Sequence, residues 1–268
     1  RIDAGGSLGL RGELITCGGD LSITNGGILQ VWSNPTNGLT IDYGARVSVT
    51  GNLDIAASSR IEAYSHESNG GAPLFEASNI RIAAGGMIDA DGGGFASQTG
   101  PGKGALTGRG GGGNGGDGGG GTAGGKAYGR VDVATLPGSG GGALDQGGYG
   151  GGVIRLVASG TVAVDGTLTA NGLRVWGSGG GSGAGGGIDI RCATLSGAAG
   201  GLLQASGGPG YLHCSAAWYG YAGGGGRVAL GYETLDPAFA ATIRLGHDLN
   251  GEHQNNPVAG RQLRHQAG

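Results

Sequence analysis

The chain has 268 residues, 71 of them glycine, and a net charge of −3 from 16 Lys+Arg against 19 Asp+Glu. Glycine at several times its usual share of about 7% excludes a helix bundle, because each glycine in a helix interior costs about 1 kcal/mol relative to alanine. With only 7 prolines and no glycine at every third position the chain is no collagen, and without a basic cluster it is not built to neutralise a nucleic-acid backbone.

Short alternating triplets, each followed by a small turn, recur along the chain. Leu21-Ser22-Ile23 turns through Thr24–Gly27 into Ile28-Leu29-Gln30-Val31, and Leu39-Thr40-Ile41 leads to Val47-Ser48-Val49. Leu53-Asp54-Ile55 is followed by Ile61-Glu62-Ala63, and Ile80-Arg81-Ile82 by Met87-Ile88-Asp89. Later copies are Ile154-Arg155-Leu156 with Val162-Ala163-Val164, Ile188-Asp189-Ile190 with Leu202–Ala205, then Val228-Ala229-Leu230 and Ile243-Arg244-Leu245. Each puts two apolar side chains on one face and a polar one on the other, as a strand buried on one side requires. The strands are too short for an ordinary sandwich, and nothing helical links them.

The pattern predicts an all-β chain: a parallel β-helix (solenoid) whose short strands stack turn upon turn. Triplet starts lie 18, 14, 27, 74, 34 and 40 residues apart, as one corner accepting insertions would give. If the 74-residue gap hides one or two rungs, about nine coils stack. A single domain over 1–245 is expected, with regular coils in 1–84, a glycine-rich insertion in 85–152 and long glycine loops in 153–245. Residues 246–268 are polar and non-periodic and read as a C-terminal tail or arm. No run of 18 apolar residues marks a membrane span.

Residues 85–152 hold 31 glycines in 68 positions. Runs at Gly150–Gly152, Gly185–Gly187 and Gly223–Gly226 each lead straight into a strand. Linkers have no reason to keep step with strands, so these loops are expected to stack as polyproline-II-like segments on one flank, their bare backbones close enough to pair.

The alternation of glycine run, strand and turn, clearest in Gly223–Tyr232, resembles the glycine-rich parallel β-helix segments of large secreted or surface proteins of bacteria. The resemblance covers about residues 80–245, more loosely 1–79, and carries no catalytic signature. It implies a repetitive module of an adhesin or extracellular fibre.

Motifs must be discounted in so glycine-rich a chain. Gly120–Lys126 approximates a phosphate-binding loop but has Ala127 where a hydroxyl should bind magnesium. Gly112–Asp117 matches one start of a calcium-binding β-roll repeat, without the second repeat that calcium needs. The acids Asp54, Glu62, Asp132, Asp165 and Asp189 are expected to face outward, and Asp89-Ala90-Asp91 to form a solvated turn. The pattern points to no catalytic, cofactor or metal residue. Cys192 and Cys214, 22 residues apart, could close a disulfide outside the cell; the alternative is three buried thiols with Cys17. Tyr211, Trp218, Tyr219 and Tyr221 cluster either to cap a coil or to form a sugar-stacking platform.

Exposed strand edges at both ends of such a coil favour pairing with copies of itself end to end, or with other parts of a larger chain. The first functional expectation is a non-enzymatic structural or adhesive protein at the cell surface or outside the cell, a filament subunit among the forms it could take. The second is a module binding carbohydrate or a cell surface, with surface glycans as partners. The third is a polysaccharide-cleaving enzyme.

Overall fold

In a computed structural model, the structure describes residues 1–35, 44–130, 132–143, 147–175, 180–212, 219–246 and 261–266. It is all-β: among the described residues the only helical element is one 3-10 turn, Gly121–Ala123. Three strands open the chain, β1 (Ser7–Arg11), β2 (Leu14–Cys17) and β3 (Leu21–Ile23). The next three are β4 (Ile28–Trp32), β5 (Ala45–Val49) and β6 (Asn52–Ile55), followed by β7 (Arg60–Tyr64), β8 (Pro73–Ala77) and β9 (Asn79–Ile82). Members of each set pair in parallel with their counterparts in the next, β1 with β4 with β7, β2 with β5 with β8, and β3 with β6 with β9.

The recurrence continues with β10 (Met87–Asp89) and β11 (Val153–Val164), then β12 (Thr167–Thr169) and β13 (Gly187–Ser196). Beyond these come β14 (Leu202–Gln204), a short antiparallel pair β15 (Tyr211–Leu212) and β16 (Tyr219–Gly220), and β17 (Arg227–Leu235). Last are β18 (Thr242–Arg244) and β19 (Arg261–Gln266). One sheet runs β1-β4-β7-β10-β12-β14-β18, and a second runs β2-β5-β8-β11-β13-β17-β19 with β3-β6-β9 joining it at β11. Every pairing in both is parallel. Seven strands at ~4.8 Å separation make each row roughly 30 Å across.

Register places like on like. Leu29, Ile61, Ile88, Leu168 and Leu203 occupy one column and are all fully buried. Val47, Phe75, Leu156, Ile190 and Leu230 form a second, and Leu53, Ile80, Val162 and Leu195 a third. At the corner, side-chain amides form a ladder of their own. Asp20 accepts the Asn52 N–H at 2.7 Å, Asn52 accepts from Asn79 Nδ2 at 2.9 Å, and Asn79 accepts the Thr161 N–H at 2.8 Å. Two of these bonds satisfy backbone N–H groups, and the third joins the Asn52 and Asn79 side chains at the start of β6 and β9.

The first sheet has seven levels where about nine were expected. β11 pairs directly with β8 and β9, so the described residues of 90–152 add no level between them. They form a lateral excursion instead. β19 emerges from a segment whose polarity suggested an arm: Arg261–Gln266 adds to β17 in register, Leu230 opposite Arg264. It holds one apolar residue, Leu263, too few to mark a strand. The expected strand at Leu39–Ile41 lies outside the described residues. Asp189, expected outward, is only 5% exposed. Residues 134–136 pass over its strand, with the Ala134 and Leu136 carbonyls beside Gly187.

The glycine segments are buried and hydrogen-bonded to one another with a period of three. Gly181 and Ala184 donate to Gly142 and Ser139; Ser182 and Gly185 donate to Tyr221 and Gly224; Gly183 and Gly186 donate to Leu173 and Ala170. In the facing segment, Gly138 and Gly141 donate to Gly151 and Gly148, while Ser139 and Gly142 donate to Gly113 and Gly110. Asn114, fully buried, ties this layer to the sheets: its Nδ2 donates to the Gly185 and Gly186 carbonyls at 2.7 and 3.1 Å, and its Oδ1 accepts from Arg227 at 2.6 Å.

A methyl group at Gly183 would collide with the Tyr149 carbonyl oxygen, and one at Gly150 with that of Gly138, whereas nothing lies near a methyl at Gly18. Gly183→Ala and Gly150→Ala are therefore expected to cost about 1–3 kcal/mol or more. Gly18→Ala should stay within about 0.5 kcal/mol. Denaturant unfolding of the three variants checks the contrast; equal stabilities would show that the glycine layer is not packed.

Candidate functional site

β1, β4 and β7 each end on a large planar side chain at the same register position: Arg11 opposite Trp32, and Trp32 opposite Tyr64. Parallel strands hold such neighbours about one strand spacing apart. The Trp32 and Tyr64 rings accordingly stack with centroids 5.3 Å apart and planes 8° from parallel, and the Arg11 guanidinium lies 4.8 Å from the Trp32 ring centre. Offset stacking and a cation over an indole face are both favourable, so three levels reinforce one another.

Two residues before Tyr64 on the same strand, Glu62 anchors the base of the column. It accepts from Gln30 at 2.7 Å, Arg60 at 2.6 Å and the Tyr64 hydroxyl at 3.0 Å. Burial works against its charge, but the bonds from Gln30, Arg60 and Tyr64 outweigh it and hold the carboxyl below its usual range. Burial, then the bond to Glu62 and its charge, push the Tyr64 phenol up to about 12.

The column opens onto a groove of about 460 Å³, walled by Trp32, Tyr64, His66, Glu67 and Tyr149 and floored by Gly92–Gly94. Tyr149, between Gly148 and Gly150, stays 42% exposed. At the wall the Ser33 hydroxyl oxygen is buried without a hydrogen-bond partner among the described residues. This groove escaped the sequence reading because Trp32 and Tyr64 stand 32 residues apart and close only through register. Two triplets each ending on an aromatic residue were the available signal.

The residues singled out from sequence fall elsewhere. Tyr221 is half-buried, its ring against Gly120, which has a φ of 106°, and its N–H donates to Arg109. Tyr211 and Tyr219 lie on the β15–β16 pair, Tyr211 opposite Gly220 and Leu212 opposite Tyr219. Trp218 and Cys214 lie outside the described residues. Cys17 and Cys192 are half-buried free thiols, and burial pushes the Cys192 thiol up to about 11. Asp117 of the β-roll-like stretch pairs with Lys126 at 2.9 Å. Asp91 is half-buried and accepts two bonds from Asn171, whose own oxygen accepts the Ser206 N–H. It is a second corner ladder, and burial raises its carboxyl. Among the described residues no three His, Cys, Asp or Glu side chains converge as a metal ion would need, and no helix is long and apolar enough to cross a membrane. Compared with protein-family models, curated proteins and solved structures, the chain matches none.

Two titrations follow from these environments. Tyr64 is raised above its ordinary value of 10.0, so its contribution to stability is complete below pH 10 and is lost as pH climbs toward 12. An absorbance titration should show a late-ionising phenol that Tyr64→Phe removes, ahead of Tyr128, which burial raises further, and the variant should lose less stability over that interval. Native Cys192 should react with iodoacetamide at pH 8 roughly a hundredfold more slowly than in the unfolded chain, read by peptide mass spectrometry. Equal rates in the two states would contradict its burial.

Proposed function

We propose that the chain is a parallel β-helix serving as a non-enzymatic, extracellular structural and adhesive module that associates end to end. The observation that carries this is the recurrence of strands: each round lays its strands in parallel, in order and in register against the round before. The glycine flank supports the same reading. Hydrogen bonds that return to the same neighbour every third residue are those of laterally packed polyproline-II helices, which have three residues per turn and no internal bonds. Gly124, with φ −66° and ψ 138°, lies in that conformation. Such a flank stiffens a rod while presenting few side chains.

The first level supports association. Leu14 is 59% exposed and Leu8 44%, and the edges of β1 and β2 offer backbone donors and acceptors to a further strand, while Ile2 already bridges to Ile23 on β3. The resemblance of the glycine-run and strand alternation to surface proteins of bacteria supports the location. A carbohydrate-binding role is the second reading, favoured by the aromatic groove. Electron microscopy across a concentration series should show rods joined end to end into filaments. A single monomeric species in light scattering at the highest concentration would overturn the self-association.

A further inference from the structure

We infer that the groove at the ends of β4 and β7 binds a neutral hexose polysaccharide, one pyranose ring lying against Tyr64. This rests on the adhesive role proposed above and names what that role grips. The column Arg11–Trp32–Tyr64 is a stack of flat groups with one group per level. At the following level the Ser65 N–H meets the Gly93 carbonyl at 2.7 Å, and the chain there contributes Gly92–Gly94 in place of a ring. The stack therefore ends on a step. One face of Tyr64 is covered by Trp32, and the other borders a groove floored by glycine backbone. A pyranose presents a flat C–H face to an aromatic ring and hydroxyls at its rim, which is the shape and polarity of this step.

The polar groups fit a neutral ligand. Arg11 and Glu67 bring opposite charges to the groove, and the Glu62 carboxylate beneath it has both oxygens occupied by Gln30, Arg60 and Tyr64. No excess of either sign selects an ion. The His66 ring at the groove wall offers a polar edge to sugar hydroxyls. Tyr149 supplies a second aromatic wall from the glycine layer. Its carbonyl accepts the Leu173 N–H at 2.8 Å, so the backbone that carries this exposed ring is fixed before any ligand arrives.

Titration calorimetry of the whole chain with cellohexaose, laminarihexaose, maltohexaose and a β-1,4-galactohexaose, beside polygalacturonate and hyaluronate, tests the assignment. At least one neutral hexaose should bind saturably at or below about 1 mM. Trp32→Ala, Tyr64→Ala and Tyr149→Ala should each weaken binding about tenfold or more, while Tyr64→Phe, which keeps the ring, should hold within about threefold. Tyr149 is exposed, so its variant tests the site even if a stack variant fails to fold. The assignment is overturned by no neutral hexaose binding at about 10 mM, by preference for a polyanion, or by binding that survives Tyr149→Ala together with a folded stack variant. Filaments without sugar binding would leave the β-helix reading standing; sugar binding by a strict monomer would remove self-association and keep this site.

Discussion

Parallel pairing in strict register between successive rounds is the constraint on which the rest depends. A one-residue slip would turn every apolar side chain outward, and the buried columns of leucine, isoleucine and valine penalise it at each level. Hydrogen bonds between neighbouring strands fix the spacing, and the columns fix the phase. The Asp20–Asn52–Asn79–Thr161 ladder reinforces the same register with side chains at the corner, where β6 and β9 begin.

The glycine layer depends on that register too. Its segments leave and rejoin the sheets at Gly152, Gly187 and Arg227, which are bonded in series, Gly187 to Gly152 and Arg227 to Gly186. Ordering a glycine backbone costs roughly 1–2 kcal/mol per residue, so such segments hold only when their N–H and C=O groups are satisfied by neighbours. Here they pack so closely that a carbonyl oxygen occupies the place of a missing Cβ at many positions. Glycine predominates in the layer because at those positions a Cβ would meet a neighbouring carbonyl. Asn114 adds a side chain to it, its amide donating to the Gly185 and Gly186 carbonyls.

The groove shows how a repeating scaffold makes a local site. Arg11, Trp32 and Tyr64 stack because three successive rounds end at one register position. The column stops because the next round turns away through glycine. Repetition supplies the platform, and its interruption supplies the vacancy beside it. Glu62 stiffens the arrangement from below by fixing the Tyr64 hydroxyl.

Much of the strand content was legible. Alternation placed β3, β4, β5, β6, β7, β9, β10, β11, β13, β14, β17 and β18, because those strands bury one face and say so at every second residue. It passed over β8, which begins at Pro73, and β12, which is Thr-Leu-Thr. Neither has the alternating pair. It also passed over β19, whose place is set by the edge of β17 it completes. The sequence by itself determined that the chain would be all-β and that its glycine runs would keep step with strands, since both follow from local periodicity. Only the tertiary structure decided which residues meet: that the described residues of 90–152 leave the sheets without adding a level, that Asp189 is covered, and that Trp32 meets Tyr64. Those outcomes depend on contacts between residues far apart in the chain, and no local pattern encodes them.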